Sequence, residues 1–232
     1  KRIERGGTSI DWIERLTDGP GMQARWRGQA SDYLAGRAFE REDSTKDSLF
    51  YSKPRFTQHL DDTALSMVEN TYDRFLSDGM QVLDLMSSWQ SHIPDRHRLS
   101  RVVGLGLNQK ELDRNRQLTE SVVQDLNADP GLPFEDNVFD VVLCAVSVEY
   151  LVDPLTVFDQ VARVLKPGGY LVVTFSNRWF PPKAIHLWTE LHEFERMGLV
   201  LEYFMRTGAF EDLHTYSMRG LPRPHDDQYF PE

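Results

Sequence analysis

Four short apolar runs in the sequence are each followed at once by residues able to bind or turn over a ligand. Gln81-Val82-Leu83-Asp84-Leu85 leads into Met86-Ser87-Ser88-Trp89, and Arg101-Val102-Val103-Gly104-Leu105 leads into Gly106-Leu107-Asn108. Val122-Val123-Gln124 leads into Asp125-Leu126-Asn127, and the run from Val138 to Cys144 leads into Ser147-Val148-Glu149-Tyr150. Asp84 and Asp125 offer carboxylate acceptors, Asn108 an amide with both donor and acceptor, and Ser87 and Ser88 hydroxyls that suit either a helix N-cap or a ligand carboxylate. A further stretch, Phe50 to His59, contains Tyr51 and His59, which with Glu149 are the candidates for moving a proton. It also contains Arg55, whose planar fork matches a carboxylate. His59, His92 and His97 share no ligand spacing with a cysteine or carboxylate cluster, so no metal site is expected.

The elements that must position these residues are legible from periodicity. Val138 to Cys144 and Tyr170 to Phe175 are β-branched apolar runs of the kind that become buried parallel strands. Between them, Asp153-Pro154 supplies an N-cap and a pre-set first helical φ, and Leu155, Phe158, Val161, Ala162 and Leu165 recur at helical spacing. Lys166-Pro167-Gly168-Gly169 stops that helix. Upstream, Leu65, Val68, Tyr72 and Phe75 place an apolar stripe on a helix capped by Asp61 or Asp62 and ending near Gly79. Alternating strands and helices predict an α/β, doubly wound, mainly parallel sheet of about seven strands, whose ligands lie outside the carboxyl ends of the strands. Residues 1–60, charged and rich in scattered aromatics, are expected to form a helical cap with a lid, and 61–232 one globular unit. Near the C-terminal end we expect a helix around Ala184 to Met197 and weaker strands at Leu199 to Phe204 and His214 to Met218.

Charge and composition narrow the partners. With 26 Lys plus Arg against 36 Asp plus Glu, the net charge of -10 repels nucleic-acid phosphates and anionic lipid surfaces, so neither is expected as a partner. A basic stretch at 95–116 is interleaved with Asp95, Glu111 and Asp113 and reads as a solvated face. A single cysteine, Cys144, excludes an internal disulfide framework and points to the cytoplasm or another reducing compartment. No run of about 18 apolar residues appears. Oligomeric state is not set by any of these features.

The strings VVQDLNADPGLPFEDNVFDVVLC (122–144) and VEYLVDPLTVFDQVARVLKPGGYLVVTFSN (148–177) resemble the second half of class I S-adenosyl-L-methionine (SAM)-dependent methyltransferases of the small-molecule, type 11-like branch. The resemblance runs from about Gln81 to Asn177, and the DxxSSW and FSNRxF strings narrow it to methyltransferase-like proteins with an atypical cofactor loop. It implies a Rossmann-like fold with SAM lying across the first, second and fourth strand ends. Asp84 then stands near the methionine amino group, while Asp125, with the Leu126 amide, holds the adenine. Met86, Ser87, Ser88, Leu107 and Ser147, standing at the strand ends, are the remaining candidate cofactor contacts, and Arg55 is expected to hold the methionine carboxylate or an acidic acceptor by a bidentate pair.

Two departures stand out. Met86-Ser87-Ser88-Trp89 replaces a glycine-rich loop, so the backbone there is not expected to take a positive φ readily. Gly106 replaces the acid that usually holds the ribose hydroxyls, with Asn108 as a substitute, and restoring an acid at 106 would be expected to preserve or tighten binding. Methyl transfer to a small molecule is the leading reading. Intramolecular displacement on SAM giving methylthioadenosine, and a SAM-fold protein without catalysis, remain beside it. A nicotinamide oxidoreductase is disfavoured by the absence of G-x-G-x-x-G after the first strand.

Overall fold

The computed structural model describes residues 34–218, so the part of the expected helical cap at residues 1–33, and residues 219–232 of the expected globular unit, lie outside the described residues. In chain order the elements are α1 (Asp47–Phe50), α2 (Asp62–Tyr72), β1 (Gln81–Leu85), β2 (Arg101–Gly106), α3 (Gln109–Arg114) and β3 (Glu120–Val123). They continue with β4 (Phe139–Ala145), a 3-10 turn (Val148–Tyr150), α4 (Pro154–Val164), β5 (Leu165–Thr174), α5 (His186–Glu190) and α6 (Glu193–Thr207). All strands pair in parallel in the order β3-β2-β1-β4-β5. Chain order thus reverses at β1, and the crevice between β1 and β4 opens where such sheets bind ligands.

The sheet has five strands among the described residues rather than about seven. Leu199 to Phe204, read as a strand, lies inside α6, because Leu199, Val200 and Tyr203 fall on one helical face that packs against α4. Phe158 of α4 meets Tyr203 and Phe204 at ring-centroid distances of 5.6 and 5.0 Å. Packing of that face overrides the strand preference of the individual residues. His214 to Met218 forms no strand, and the expected helix from Ala184 to Met197 breaks at Leu191 and His192 between α5 and α6.

Alternation along the strands divides the core. Leu83, Leu85, Val103 and Leu105 face the layer containing α4 and α6, whereas Val82, Val102, Val141 and Leu143 face α2. Caps act where the sequence places them: Asp61 accepts from the Ala64 amide and Asp153 from the Thr156 amide. The Lys166-Pro167-Gly168-Gly169 stop forms the irregular start of β5, where pairing shifts between Phe139↔Leu165 and Val141↔Tyr170. No helix of the described residues is long and apolar enough to cross a membrane.

The N-terminal segment is strapped to the chain beyond β5. His186 N–H donates to the Glu40 carbonyl at 2.7 Å and Leu187 N–H to Ala38 at 3.0 Å. Beside this ladder, the fully buried Lys183 ammonium lies 3.1 Å from Asp47, which also pairs with Arg41 at 2.8 Å and accepts from Asn127 at 2.7 Å. These bonds hold the Asp47 carboxyl below the ordinary aspartate range, although burial opposes them. Removing one partner of a buried ionic cluster leaves the others uncompensated. Asp47→Ala is therefore expected to lower stability by about 3–5 kcal/mol, read as a reduced urea midpoint at unchanged m-value. A loss below about 1 kcal/mol would place this cluster with ordinary surface ion pairs.

Candidate functional site

Beyond the carboxyl ends of β1 to β4 lies a cavity roofed by the segment 51–60 and by Phe180. Every candidate residue read from the sequence lines it except Glu149. Its floor is set by how the chain leaves β1. Met86 takes a positive φ of 59°, contrary to the expectation for a non-glycine residue, and turns the chain sideways across the end of β2. Ser87 N–H then donates to the Leu105 carbonyl at 2.7 Å. The Ser87 carbonyl lies against Gly106, so close that a Cβ at 106 would overlap it. Glycine is required here by packing, and the expectation that an acid at 106 would be tolerated is overturned.

No helix follows β1 among the described residues, so Ser87 and Ser88 cap nothing. Their hydroxyls hold carboxylates instead. Ser87 Oγ donates to Asp84 Oδ2 at 2.5 Å, and Ser91 Oγ donates to the same oxygen at 2.6 Å. Asp84 is 3 % exposed, and burial pushes its carboxyl up to about 6 against those two bonds. It is thus mainly ionised at neutral pH, desolvated and poised for a cationic or donating partner.

Asn108 caps α3 by accepting from the amides of Lys110 and Glu111, while its Nδ2 donates to the Tyr51 carbonyl at 2.8 Å. Its amide is thereby committed to protein partners and reaches a ligand only by giving them up. Asp125 accepts from the Asn127 amide at 3.0 Å and lines the cavity beside Leu126. Asn127 is a structural pivot: it donates to Asp47 and to the Tyr150 carbonyl, and accepts from the Val152 amide. Ser147 Oγ donates to the Ala145 carbonyl at 2.6 Å, and the adjoining Val146 holds a φ of 42° that is rare for a β-branched residue.

The roof carries the proton-transfer candidates. Tyr51 packs edge-on to Phe50 at 4.9 Å, and burial, followed by Asp47, raises its phenol so that it stays protonated. His59 packs edge-on to Phe180 at 5.3 Å; burial, then Arg55, lowers its imidazole while Glu111 opposes. Glu149 does not line the cavity; it has no exposure, and no other residue bonds its carboxyl oxygens. Burial pushes it up to about 8, opposed by its own backbone amide and by Arg196, so it is a largely protonated group at neutral pH.

Sequence reading missed Glu111 and His92. Glu111 lines the cavity as a 9 % exposed carboxylate, accepting from Ser88 Oγ and from the Arg55 amide, each at 2.6 Å. The signal was present: Glu111 stands three residues after a capping Asn, at a helix N3 position. His92 lines the same cavity with φ 54°, and burial lowers its imidazole. No group of three or more His, Cys, Asp or Glu side chains among the described residues is arranged to hold a metal ion.

Residues 87–173 match the family model described as a methyltransferase domain. The matched span starts just after Asp84 and Met86 and ends within β5. The ubiquinone/menaquinone biosynthesis C-methyltransferase UbiE of Laribacter hongkongensis is 28 % identical over 160 residues, covering 65 % of this chain and 62 % of that protein. The demethylmenaquinone methyltransferase of Clavibacter sepedonicus is 38 % identical over 64 residues, covering 27 % of this chain and 26 % of that one. Among solved structures, the [4+2]-cyclase SpnF aligns with a TM-score of 0.46 at 21 % identity, covering 57 % of this chain and 56 % of that one. The chain spans less than two thirds of the length of these relatives. From the end of β1 into β5 the chain is thus similar to methyltransferase domains.

Proposed function

We propose that the protein transfers the methyl group of SAM to a small-molecule acceptor. The observation that carries this reading is a single cavity, at the switch point of a parallel sheet, that gathers Asp84, Glu111 and Asp125 with the apolar walls of Leu107 and Leu126. Those donor and acceptor types fit a molecule with an ammonium group, ribose hydroxyls and an aromatic base. Bound there, SAM supplies an electrophilic methyl group. The protein's part is to hold the amino end at Asp84, the adenine at Asp125 and the Leu126 amide, and an acceptor under the roof, with water excluded by Tyr51, Phe180 and Tyr150.

His59 is the group placed to accept the acceptor's proton, because its lowered basicity leaves it neutral at pH 7. Tyr51 stays protonated and serves as a donor. Incubation with SAM and a small-metabolite fraction, followed by mass spectrometry, is expected to yield S-adenosylhomocysteine and a product heavier by one methylene. Methylthioadenosine instead would mean intramolecular displacement, and no binding of S-adenosylhomocysteine at millimolar ligand would mean a non-catalytic scaffold.

Three consequences separate roles. Asp125→Ala is expected to weaken S-adenosylhomocysteine about tenfold with stability retained, by loss of a charged acceptor, whereas Asn127→Ala lowers the melting temperature by untying Asp47, Tyr150 and Val152; the reverse pattern in calorimetry and thermal melts would exchange the two assignments. Gly106→Asp must push the Ser87 backbone aside, at roughly 1–3 kcal/mol of overpacking. It is expected to lower both stability and affinity, and tighter binding would refute the geometry at the β2 end. For His59, the active neutral form is lost only as pH falls through its depressed value, so the acid limb of kcat lies below 6.5. His59→Gln removes that limb and lowers kcat by roughly 10²-fold or more with unchanged S-adenosylhomocysteine affinity.

A further inference from the structure

Arg55 is the only Lys or Arg among the described residues that line the cavity. Its backbone amide is pinned to Glu111 on the β2 side, while its guanidinium reaches across the mouth to Phe180 beyond β5. The guanidinium carbon lies 4.5 Å from the Phe50 ring centre, 5.2 Å from Tyr51 and 5.3 Å from Phe180. Nη2 donates to the Phe50 carbonyl at 3.1 Å, but Nη1 is buried without a hydrogen-bonding partner.

The acids nearby are already engaged. Asp47 is shared by Arg41, Lys183 and Asn127, and Glu111 by the Ser88 hydroxyl and the Arg55 amide. Three aromatic faces offset part of the cost of desolvating this cation, yet no described carboxylate pairs with its head group. A partly buried guanidinium caged by rings and lacking a counter-ion is arranged for a planar oxyanion brought by a ligand.

We propose that Arg55 makes the roofed, aromatic end of the cavity an oxyanion subsite, and that the acceptor carries a carboxylate or a group of like shape and charge. The proposal rests on the methyltransferase reading above. The side of the cavity decides between the two ligands that could bring a carboxylate. Phe180 and Tyr150, whose rings lie 6.1 Å apart, wall this end, whereas Gly106 and Asp125 wall the end beyond β2 and β3, where the nucleoside is placed. The amino-acid end of SAM shares the chemistry, so the test separates them.

The full chain, as wild type, Arg55→Gln and Arg55→Lys, is titrated with benzoate and with its uncharged analogue benzamide, with and without saturating S-adenosylhomocysteine. Wild type is expected to prefer benzoate by about tenfold or more, the size of a charge-assisted hydrogen bond. Arg55→Gln loses the preference and Arg55→Lys keeps part of it, which ties the effect to charge rather than to a disturbed roof. Parallel titrations use S-adenosylhomocysteine and methylthioadenosine, which lacks the amino-acid end. If Arg55→Gln weakens only the former, by tenfold or more, Arg55 serves the cofactor's carboxylate and the acceptor assignment is overturned. Equal binding of benzoate and benzamide by wild type overturns the oxyanion subsite. Absence of S-adenosylhomocysteine binding in wild type would count against the methyltransferase reading alone, because the benzoate comparison still stands on the free protein.

Discussion

The site depends on one close approach: the Ser87 backbone lying across Gly106 at the end of β2. It needs a left-handed turn at Met86 and no side chain at 106, and it places two serines where each can hold an acid. Ser87, with Ser91, fixes Asp84 at the end of β1, and Ser88 fixes Glu111 on α3. Glu111 then accepts the Arg55 amide and so anchors the roof. A left-handed non-glycine residue costs of order 1–3 kcal/mol and persists only where its surroundings over-determine it. Here the Ser87–Leu105 backbone bond and the Asp84–serine bonds supply that constraint, which is why a chain without glycine between Met86 and Trp89 still shapes a cavity at the switch point of the sheet.

The roof is held from both sides by polar contacts as well as by the aromatic packing of Phe50, Tyr51 and His59 on Phe180. Asn108 grips the carbonyls of Tyr51 and Ser52 from the β2 side, and Asp47 is clamped by Lys183 and Asn127 from the β4 and β5 side. Tyr51 and Arg55 sit between the two anchors. Phe56 and Leu49 lie exposed on the outer surface of this stretch.

What the sequence disclosed followed from local rules. The first four strands and the Asp61 and Asp153 caps each rest on a periodic run or a turn residue and stand close to where those signals put them, whereas β5 begins at Leu165 and takes in the Lys166 to Gly169 stretch, and α2 ends at Tyr72 rather than near Gly79. The misreadings share another cause. Leu199 to Phe204 is apolar at strand-like and helix-like spacing alike, and only its packing on Phe158 decides for the helix. The missing helix after β1, the left-handed Met86 and the service of Asn108 as a cap and tether all arise from contacts between segments far apart in sequence. Glu149 failed as a candidate for a similar reason: its position after β4 suits a ligand contact, but in the 3-10 turn it is fully buried and outside the cavity lining.

Charge gives the cavity a direction. Asp84, Glu111 and Asp125 gather at the β1 to β3 ends, and Arg55 lies at the far end under Phe180. Asp47, the remaining acid in the lining, is neutralised by Arg41 and Lys183. A ligand with a cationic centre and neutral hydroxyls lowers its energy toward the acids, and an oxyanion lowers its energy toward Arg55, so the proposed cationic donor and the proposed anionic acceptor would be drawn to opposite ends. Burial strengthens both attractions by lowering the effective dielectric, and it holds His59 neutral between them. Phe180 packs against both the Arg55 guanidinium and the His59 imidazole, so one packing arrangement would serve both the proposed orientation of the acceptor and its proposed deprotonation.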